Sequence, residues 1–495
     1  MDSEGRTAKK LVSRSIRALS LAVLSLSVVG PTAIVQAAGE CTNSGPGGDW
    51  PFHGKDLAHS RYQDQETIIG AGNAAQLEAA WVLPADGTFE SHPVAAGGCV
   101  FIGTQTGHIY ALEAASGGLV WDAQLPTATT LSVANGRVFI QSGADVTALD
   151  ADTGAQLWRV TITEVPGMGD GSGAVPTPFE DMVIAGAVCG DDVIGTVAPR
   201  GGCKGYYAIL DQATGERIVD GYDVSQEDFE RGMGGSGFWI PPTYDSEDKL
   251  VYWGNANART FNPENPNASA LLKIDADPLS PTFGQILGAF RTTELEETNI
   301  GNNPAVEPVC RTANNIACTN EDDWAAPAII YRNSEGEKLI ASAHRNIALA
   351  LNPDFSGQIW SQPAGARAAG AAYDGSSFYF QGAGSTLVAL DKDTGAIEWT
   401  GNVFGSNTYQ HVSAANGVVY TLSGSPAALA GGTGFLLAWD ASDGTPLVQR
   451  QMTQDIGDIA IGTVAGGVAI AQNTVFAPVN GTQGGYLVAY RLPSE

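Results

Sequence analysis

Five polar segments of this 495-residue chain carry side chains that could take part in chemistry. One of them, NEDDWAAPAIIY, places Asp322 and Asp323 directly before Trp324. A carboxylate can accept a proton from a substrate, and carboxylate and amide oxygens are the ligands that calcium prefers. A solvated acidic loop would also explain this run. The residues of interest in the other four segments are Asp192, Trp239, Asn257 and Arg345.

Common catalytic motifs are missing from the sequence. It contains no G-x-S-x-G nucleophile motif, no P-loop and no dinucleotide-binding fingerprint in a βαβ setting. Its six histidines lack the paired spacing of zinc sites, and no cysteine belongs to a C-x-x-C-H motif. The sequence therefore argues against a zinc enzyme and against haem attached to this chain.

A short phrase that recurs eight times predicts the elements that position these segments. It consists of apolar residues, an acidic or amide residue, often a Thr-Gly turn and often a Trp. The clearest copies are VTALDADTGAQLW at 146–158 and LVALDKDTGAIEW at 387–399. Short Val, Ile, Tyr and Phe runs bounded by Gly, Asn and Asp surround these copies, as is typical of an all-β protein.

The spacing of the copies predicts the architecture. Equivalent positions follow one another at intervals of 37, 61, 64, 77, 39, 49 and 51 residues, and they are Leu112, Leu149, Leu210, Ile274, Leu351, Leu390, Trp439 and Tyr490. A four-stranded propeller blade needs roughly 40–50 residues. We therefore expect an all-β, eight-bladed β-propeller with insertions in its three longest repeats. We also expect the N- and C-terminal strands to close the ring in one blade, and the closing Trp to pack between blades.

The first 37 residues predict a secretory signal peptide. Five basic residues precede the apolar run 19–29, and the small residues around Ala37 place the cleavage after it. The run is too short to span a bilayer, and no other apolar stretch reaches that length. The sequence thus predicts that residues 38–495 form a single propeller domain without a membrane span, in the periplasm or secreted.

The chain is strongly acidic, with 53 acidic and 25 basic residues and a formal net charge of −28. Such a charge repels nucleic acid and anionic lipid surfaces, and it would suit a basic protein partner. Solvation of an exported surface explains the charge equally well.

The six cysteines are an even number, as expected for disulfides in an oxidising compartment. Several pairings are open. Closeness in the sequence favours Cys189 with Cys203 and Cys310 with Cys318, which leaves Cys41 with Cys99.

From Trp50 onward the chain resembles the pyrroloquinoline quinone (PQQ) dehydrogenases, which are eight-bladed quinoprotein alcohol dehydrogenases, and most of all their polyvinyl-alcohol dehydrogenase branch. The opening DWPFHGKDLAHSRYQ at 49–63 is similar to the W-P-x-x-G-x-D-x-x-x-S-R-Y motif of that family. The likeness covers nearly the whole chain after the predicted leader. It implies an alcohol dehydrogenase that uses PQQ and calcium, oxidises a small or polymeric alcohol and passes electrons to a separate cytochrome c.

The resemblance also implies roles for individual residues. Asp323 corresponds to the general base and cation neighbour, with Asp322 as the second choice. The segment GGSGFWIPPTYD places Trp239 as the aromatic floor under the cofactor, where a blade-packing Trp is the structural alternative. The segment VYWGNANARTF places Asn257 on the cation, with Asn255 as a neighbour that could replace it.

Two further segments complete the implied site. In LIASAHRNIALALN, Arg345 and the following Asn346 correspond to the residues that face the quinone oxygens. A fixed guanidinium there would stabilise negative charge. In VIAGAVCGDD, Asp192 or its neighbour Asp191 corresponds to an acidic cation ligand that is usually Glu in the family. His344, which precedes Arg345, could line the same pocket, or it could be structural.

The chain departs from the family at two places. A single Cys203 stands where the enzymes have an adjacent Cys pair, and Thr129 and Thr130 stand where they have an Arg that binds a quinone carboxylate. A hydroxyl group cannot neutralise a carboxylate. These departures keep a second interpretation open, namely a non-catalytic propeller that serves as a periplasmic scaffold or binding module.

Overall fold

Short antiparallel strands build eight separate sheets in the part of the chain that the structure describes. The structure is a computed structural model, and it describes residues 41, 44–89, 92–126, 130–162, 175–187, 204–231, 235–256, 265–292, 323–344, 347–364, 370–382, 386–403, 410–424, 434–463 and 467–493. All of these belong to the unit Gly39–Glu495.

Blades 1 to 4 each contain four consecutive strands. Blade 1 has β3 (Val94–Ala96), β4 (Cys99–Gly103), β5 (His108–Glu113) and β6 (Leu119–Gln124); blade 2 has β7 (Thr130–Ala134), β8 (Arg137–Ser142), β9 (Asp145–Asp150) and β10 (Gln156–Thr161). Blade 3 has β11 (Thr177–Phe179), β12 (Met182–Ala187), β13 (Tyr206–Asp211) and β14 (Arg217–Tyr222); blade 4 has β15 (Thr243–Asp245), β16 (Leu250–Gly254), β17 (Leu271–Asp275) and β18 (Ile286–Phe290).

Blades 5 to 7 follow the same plan. Blade 5 has β19 (Ile329–Arg332), β20 (Lys338–His344), β21 (Ile347–Leu351) and β22 (Gln358–Pro363); blade 6 has β23 (Ala372–Tyr373), β24 (Ser377–Gly382), β25 (Thr386–Asp391) and β26 (Ile397–Asn402). Blade 7 has β27 (Ser413–Ala415), β28 (Val418–Ser423), β29 (Phe435–Asp440) and β30 (Pro446–Gln451), and β1 (Tyr62–Gln63) pairs with its first strand in parallel.

Blade 8 closes the ring with strands from both ends of the chain. It contains β31 (Ala460–Thr463), β32 (Ala469–Ala471), β33 (Thr474–Gly481) and β34 (Gly485–Arg491), and β34 pairs antiparallel with β2 (Glu78–Pro84). The predicted closure is therefore confirmed. Three short helices are described, a 3-10 helix at Ala74–Gln76, α1 at Gln226–Glu230 and α2 at Thr453–Ile456. Among the described residues, no helix has the length and hydropathy needed to cross a membrane.

The recurring phrase builds the third strand of each blade and, in blades 1 to 7, leads into the fourth. Its equivalent positions all lie at or next to the end of the third strand; Leu112 pairs with Val100 and Leu390 with Phe378. The Trp of one blade packs on the turn glycine of the next. A Cβ on Gly154, whose φ is +70°, would lie 2.7 Å from the Trp121 ring, and the Trp121 indole N–H donates to Ala151 O at 2.8 Å. The packing predicted for the Trp is thus confirmed.

A segment that we call the plug, residues 48–63, runs across the innermost strands around the central axis. Trp50 pairs with Ala95 of blade 1, and the carbonyl oxygens of Leu57 and Ala58 accept bonds from blades 4 and 5. Other plug carbonyls accept bonds from blades 2, 6, 7 and 8. The plug contains the motif that resembles the family's opening, and it connects blades at the axis.

The predicted disulfide between Cys41 and Cys99 is present and ties the N-terminal segment to blade 1. Cys189, Cys203, Cys310 and Cys318 lie outside the described residues, so their pairing stays a prediction.

Candidate functional site

The segments singled out in the sequence belong to loops on one face of the propeller. Trp239 lies in the connection from β14 to β15, and Asp323 lies in the connection from β18 to β19. Connections from a fourth strand to the next first strand, and from a second to a third strand, leave an antiparallel blade on the same side. Asp192, Asn257, Arg345 and Asn346 lie outside the described residues, so their positions stay predictions.

Backbone hydrogen bonds join the segments of blades 3, 4 and 5 along this face, which we call the rim. Phe238 N donates to Ala187 O at the end of β12 (3.4 Å), and Ala256 N donates to Gly237 O (2.9 Å). Trp324 N donates to Asn255 O (3.1 Å). The structure thus brings the described segments that contain Trp239, Asn255 and Asp323 together at one place.

Trp239 differs from the tryptophan of the neighbouring strand. Trp253 is fully buried, and its indole N–H donates to Ile240 O at 2.6 Å. Trp239 packs against the same apolar cluster but stays partly exposed, and its buried Nε1 has no hydrogen-bond partner among the residues that the structure describes. An indole with a partly open surface and an unused N–H is the kind of side chain that a flat, oxygen-bearing ligand can contact.

The position of Asp323 is set by its neighbour Trp324. The Trp324 ring is fully buried, its Nε1 donates to Ser342 Oγ at 2.9 Å, and it stacks on His344 with centroids 4.8 Å apart and planes 3° apart. A side chain in place of Gly254 would collide with Trp324 O, since a Cβ would lie 2.2 Å away. The stack joins Trp324, which follows Asp323, to His344, which precedes Arg345. His344 therefore packs in the interior.

Asn255, the alternative to Asn257, is fully buried and uses both ends of its amide. Its Nδ2 donates to Asn267 O at 3.0 Å, and its Oδ1 accepts from Ala256 N at 3.1 Å. This side chain shapes the loop between β16 and β17.

Asp223, which sequence reasoning did not select, lies buried beside these segments. Its Oδ2 accepts hydrogen bonds from Ser236 N at 2.6 Å, Ser236 Oγ at 2.7 Å and Asn265 Nδ2 at 3.0 Å. Burial raises the pKa of Asp223, and the bonds from Ser236 oppose the rise. The sequence contains no signal for it, because it is one of several acidic residues near α1. We call Asp223, Ser236, Asn255, Asn265 and Asn267 the rim cluster.

A second polar cluster lies at the axis, and it was also unexpected. His53 of the plug has its ring centroid 4.1 Å from that of His92 and 4.5 Å from that of His411, and its Nδ1 lies 3.2 Å from Nε2 of His59. Arg61 is fully buried beside them. We call these four histidines and Arg61 the axial cluster. In the described ranges, no group of three or more His, Cys, Asp or Glu residues is arranged to hold a metal ion.

The family of the chain follows from its sequence match. The PQQ_2 family model, described as "Outer membrane protein assembly factor BamB", matches residues 65–222 and 322–494. The chain belongs to the PQQ_2 family. This result agrees with the eight sheets and with the repeats from which the propeller was predicted.

Named relatives of this PQQ_2 protein include alcohol dehydrogenases. A polyvinylalcohol dehydrogenase of Pseudomonas sp is 24% identical over 339 residues, which cover 63% of this chain and 50% of that relative. The chain thus spans half or less of the length of the first curated relatives that it matches. The resemblance seen in the sequence is confirmed.

Solved structures show the same fold. The quinohemoprotein alcohol dehydrogenase from Comamonas testosteroni superposes with a TM-score of 0.66 at 16% identity, over 93% of this chain and 85% of that one. A europium-containing methanol dehydrogenase superposes with a TM-score of 0.63 at 15% identity, over 90% of this chain and 98% of that one. The predicted eight-bladed propeller of the quinoprotein alcohol dehydrogenase type is confirmed.

The described rim residues of this PQQ_2 protein fit a planar quinone. Trp239 offers a partly exposed aromatic surface with an unused buried N–H, and the adjoining segment supplies the carboxylate of Asp323. A carboxylate oxygen also suits a hard cation.

Proposed function

We propose that this protein is a PQQ- and cation-dependent alcohol dehydrogenase whose site lies on the rim of blades 3 to 5. The observation that carries the proposal is the set of backbone bonds that joins the segments of Trp239, Asn255 and Asp323. Named relatives are alcohol dehydrogenases, and this supports the reaction class.

In this proposal each residue of the chain has a defined task. When bound, PQQ supplies the two-electron acceptor that alcohol oxidation requires. Asp323 accepts the proton of the alcohol hydroxyl group. Trp239 lies under the flat cofactor, and Arg345 and Asn346 face its oxygens, where a guanidinium stabilises negative charge. Asp192, Asn257 and Asp323 are the proposed cation ligands.

Finer features of the proposal concern the cation, the acceptor and the compartment. We propose calcium, with a lanthanide as the alternative because a lanthanide-dependent methanol dehydrogenase is among the relatives. The acidic surface would dock a separate, basic cytochrome c as the electron acceptor. The predicted signal peptide places the enzyme in the periplasm or outside the cell. The alcohol is small or polymeric.

Reconstitution tests this function. The purified protein is titrated with PQQ in the presence of calcium or a lanthanide, and dye reduction is measured with small alcohols and with polyvinyl alcohol. We expect a PQQ-dependent spectrum and PQQ-dependent dye reduction with at least one alcohol. If neither the spectrum nor dye reduction is seen with either cation, the proposal that the protein is an enzyme is ruled out.

A non-catalytic propeller that acts as a periplasmic scaffold or binding module is the second candidate. The description of the matched family as an assembly factor favours it. So do the single Cys203 and the threonines Thr129 and Thr130 in place of the family's Cys pair and Arg. A properly folded protein that binds no PQQ in the same titration would support this candidate.

A further inference from the structure

We infer that Asp223 is a positioning residue that holds the segment of Trp239 against both ends of the loop between β16 and β17. The inference rests on the proposed function, because it gives Asp223 a purpose in the site. Asp223 lies outside the set of residues that the sequence or the family resemblance selects. Its evidence is a network of contacts that converges on one buried carboxylate.

The first set of contacts fixes the Trp239 segment. Asp223 Oδ2 accepts from both the backbone N and the Oγ of Ser236, at 2.6 and 2.7 Å. Hydrogen bonds to an ionised acceptor are stronger than neutral ones. Ser236 precedes Trp239 by three residues on the same extended stretch, so this pair of bonds sets where the stretch begins.

The second set of contacts fixes the loop between β16 and β17. Asp223 Oδ2 accepts from Asn265 Nδ2 at 3.0 Å, and Asp223 O accepts from Asn267 Nδ2 at 2.7 Å. Asn267 O in turn accepts from Asn255 Nδ2 at 3.0 Å. Asn255 stands at the start of the loop and Asn265 at its end, so a single residue connects to both.

The surroundings show that this approach is close and specific. A Cβ on Gly205 would lie 2.8 Å from Asp223 Cγ and 2.9 Å from Ser236 O, so glycine is required there. Asp223 is 1% exposed, so its carboxylate depends on these donors rather than on water.

Asp275 of blade 4 provides a control at the end of β17, on the side of that blade away from the rim loops. It is 4% exposed, and its Oδ2 accepts from Ser280 Oγ and Thr282 Oγ1 at 2.5 and 2.6 Å. It lies at the end of β17, in the turn to β18, and has no contact with the rim segments among those the structure describes. Replacing it removes a carboxylate that is likewise held by two side-chain donors, without touching the site.

The experiment compares D223A, D223N and D275A by two measurements. Quenching of tryptophan fluorescence by PQQ gives the cofactor affinity, and hydrogen–deuterium exchange gives the protection of residues 235–240 and 265–270. We expect D223A to weaken PQQ binding by about 10- to 100-fold, the range for residues that orient ligand-binding groups. We also expect it to speed exchange in both segments, while D275A does neither.

The amide of D223N can still accept from Ser236, so this variant should recover most of the affinity and protection. If D223A does not fold, S236A replaces it, because it removes only the Oγ bond and should give a smaller change of the same kind. Unchanged exchange in D223A, or equal loss of PQQ affinity in D275A, would overturn the inference. Failure of the wild-type protein to bind PQQ would reject the proposed function, and the exchange result would still decide the positioning role.

Discussion

The rim cluster and the axial cluster are both buried and titratable, and burial disfavours the charged form in both, but the buried group is an acid at the rim and a base at the axis. Asp223 is surrounded by hydrogen-bond donors from two loops. His92 and His411 lie edge to face with His53, with Arg61 as the cation beside them. Burial, together with neighbouring histidines and Arg61, lowers the pKa of His53 and His411 well below the ordinary value.

The two clusters therefore respond to pH with opposite signs. The raised pKa of Asp223 means that the folded protein holds a proton more tightly there, so stability falls as pH rises from 3.8 through the raised pKa. The lowered pKa values of the histidines mean that the unfolded chain binds more protons below pH 6.5, so stability falls as pH falls. The signs differ because burial favours the protonated form of a carboxyl group and the deprotonated form of an imidazole.

The largest expected effect is at the rim and concerns rate rather than stability. D323N keeps the shape of the side chain but removes the carboxylate that we propose as the base. We expect turnover to fall by about 10²- to 10⁴-fold with an unchanged melting temperature. Dye reduction by the PQQ-loaded protein, with calorimetry alongside, checks both. Full activity in D323N would move the base to another residue, Asp322 first.

The next effect is at the axis and concerns stability rather than rate. Arg61 donates to Val412 O at 2.7 Å and Ser413 Oγ at 2.9 Å, and it also donates to His53 O. R61K cannot reproduce this set, and we expect it to lower the free energy of unfolding by about 3 kcal/mol. Denaturant titration measures the change.

Arg159 is the control for Arg61, because it pairs with Asp145 on the surface. R159K should change the free energy of unfolding by less than about 0.5 kcal/mol. Equal losses in the two variants would show that the contacts of Arg61 in the plug add no more to the free energy of unfolding than a surface ion pair.

The smallest effect, counted for a single residue, is the acid sensitivity of a histidine in the axial cluster. Burial lowers the pKa of His59 to about 3 and that of His92 well below its ordinary value. Below pH 6.5 such a histidine takes up a proton in the unfolded chain but stays neutral in the folded protein. Each one therefore lowers the free energy of unfolding by about 1.4 kcal/mol per pH unit. Denaturant titrations between about pH 8 and pH 5 give this slope.

A histidine variant assigns the slope to the cluster. H92Q should make the dependence on pH shallower by about one proton. Ser413 is the control, since it lies beside Arg61, donates to Val468 O at 2.8 Å and does not titrate, and S413A should leave the acid slope unchanged. A slope in H92Q equal to that of the wild-type protein would exclude the axial cluster as its source.

Much of the frame could be predicted from the sequence because it depends on local patterns. The phrase around Leu149 and Trp158 repeats strand and turn signals that act within a few residues, so the number of blades and the packing of the Trp follow from it. The Cys41–Cys99 bridge was also predictable, by exclusion. At the site, Trp239 and Asp323 were found through motif resemblance, and their segments do meet, but their roles stay predictions.

The clusters could not be predicted because their members are far apart in the chain. His53 and His411 are separated by most of the sequence and meet only because the plug crosses the axis where the ring closes. The spacing of these histidines along the chain therefore does not predict that they pack together.

The sequence by itself determined the repeat, the eight blades, the closure of the ring and the loops in which the candidate residues stand, since each depends on short-range patterns of apolar residues and turns. The tertiary structure alone decided which distant polar groups share a buried space. It placed Asp223 under the Trp239 segment and gathered four histidines around the plug. These contacts matter for stability because a polar group that is buried away from water needs a hydrogen-bond partner, and only the fold decides which segment lies beside it.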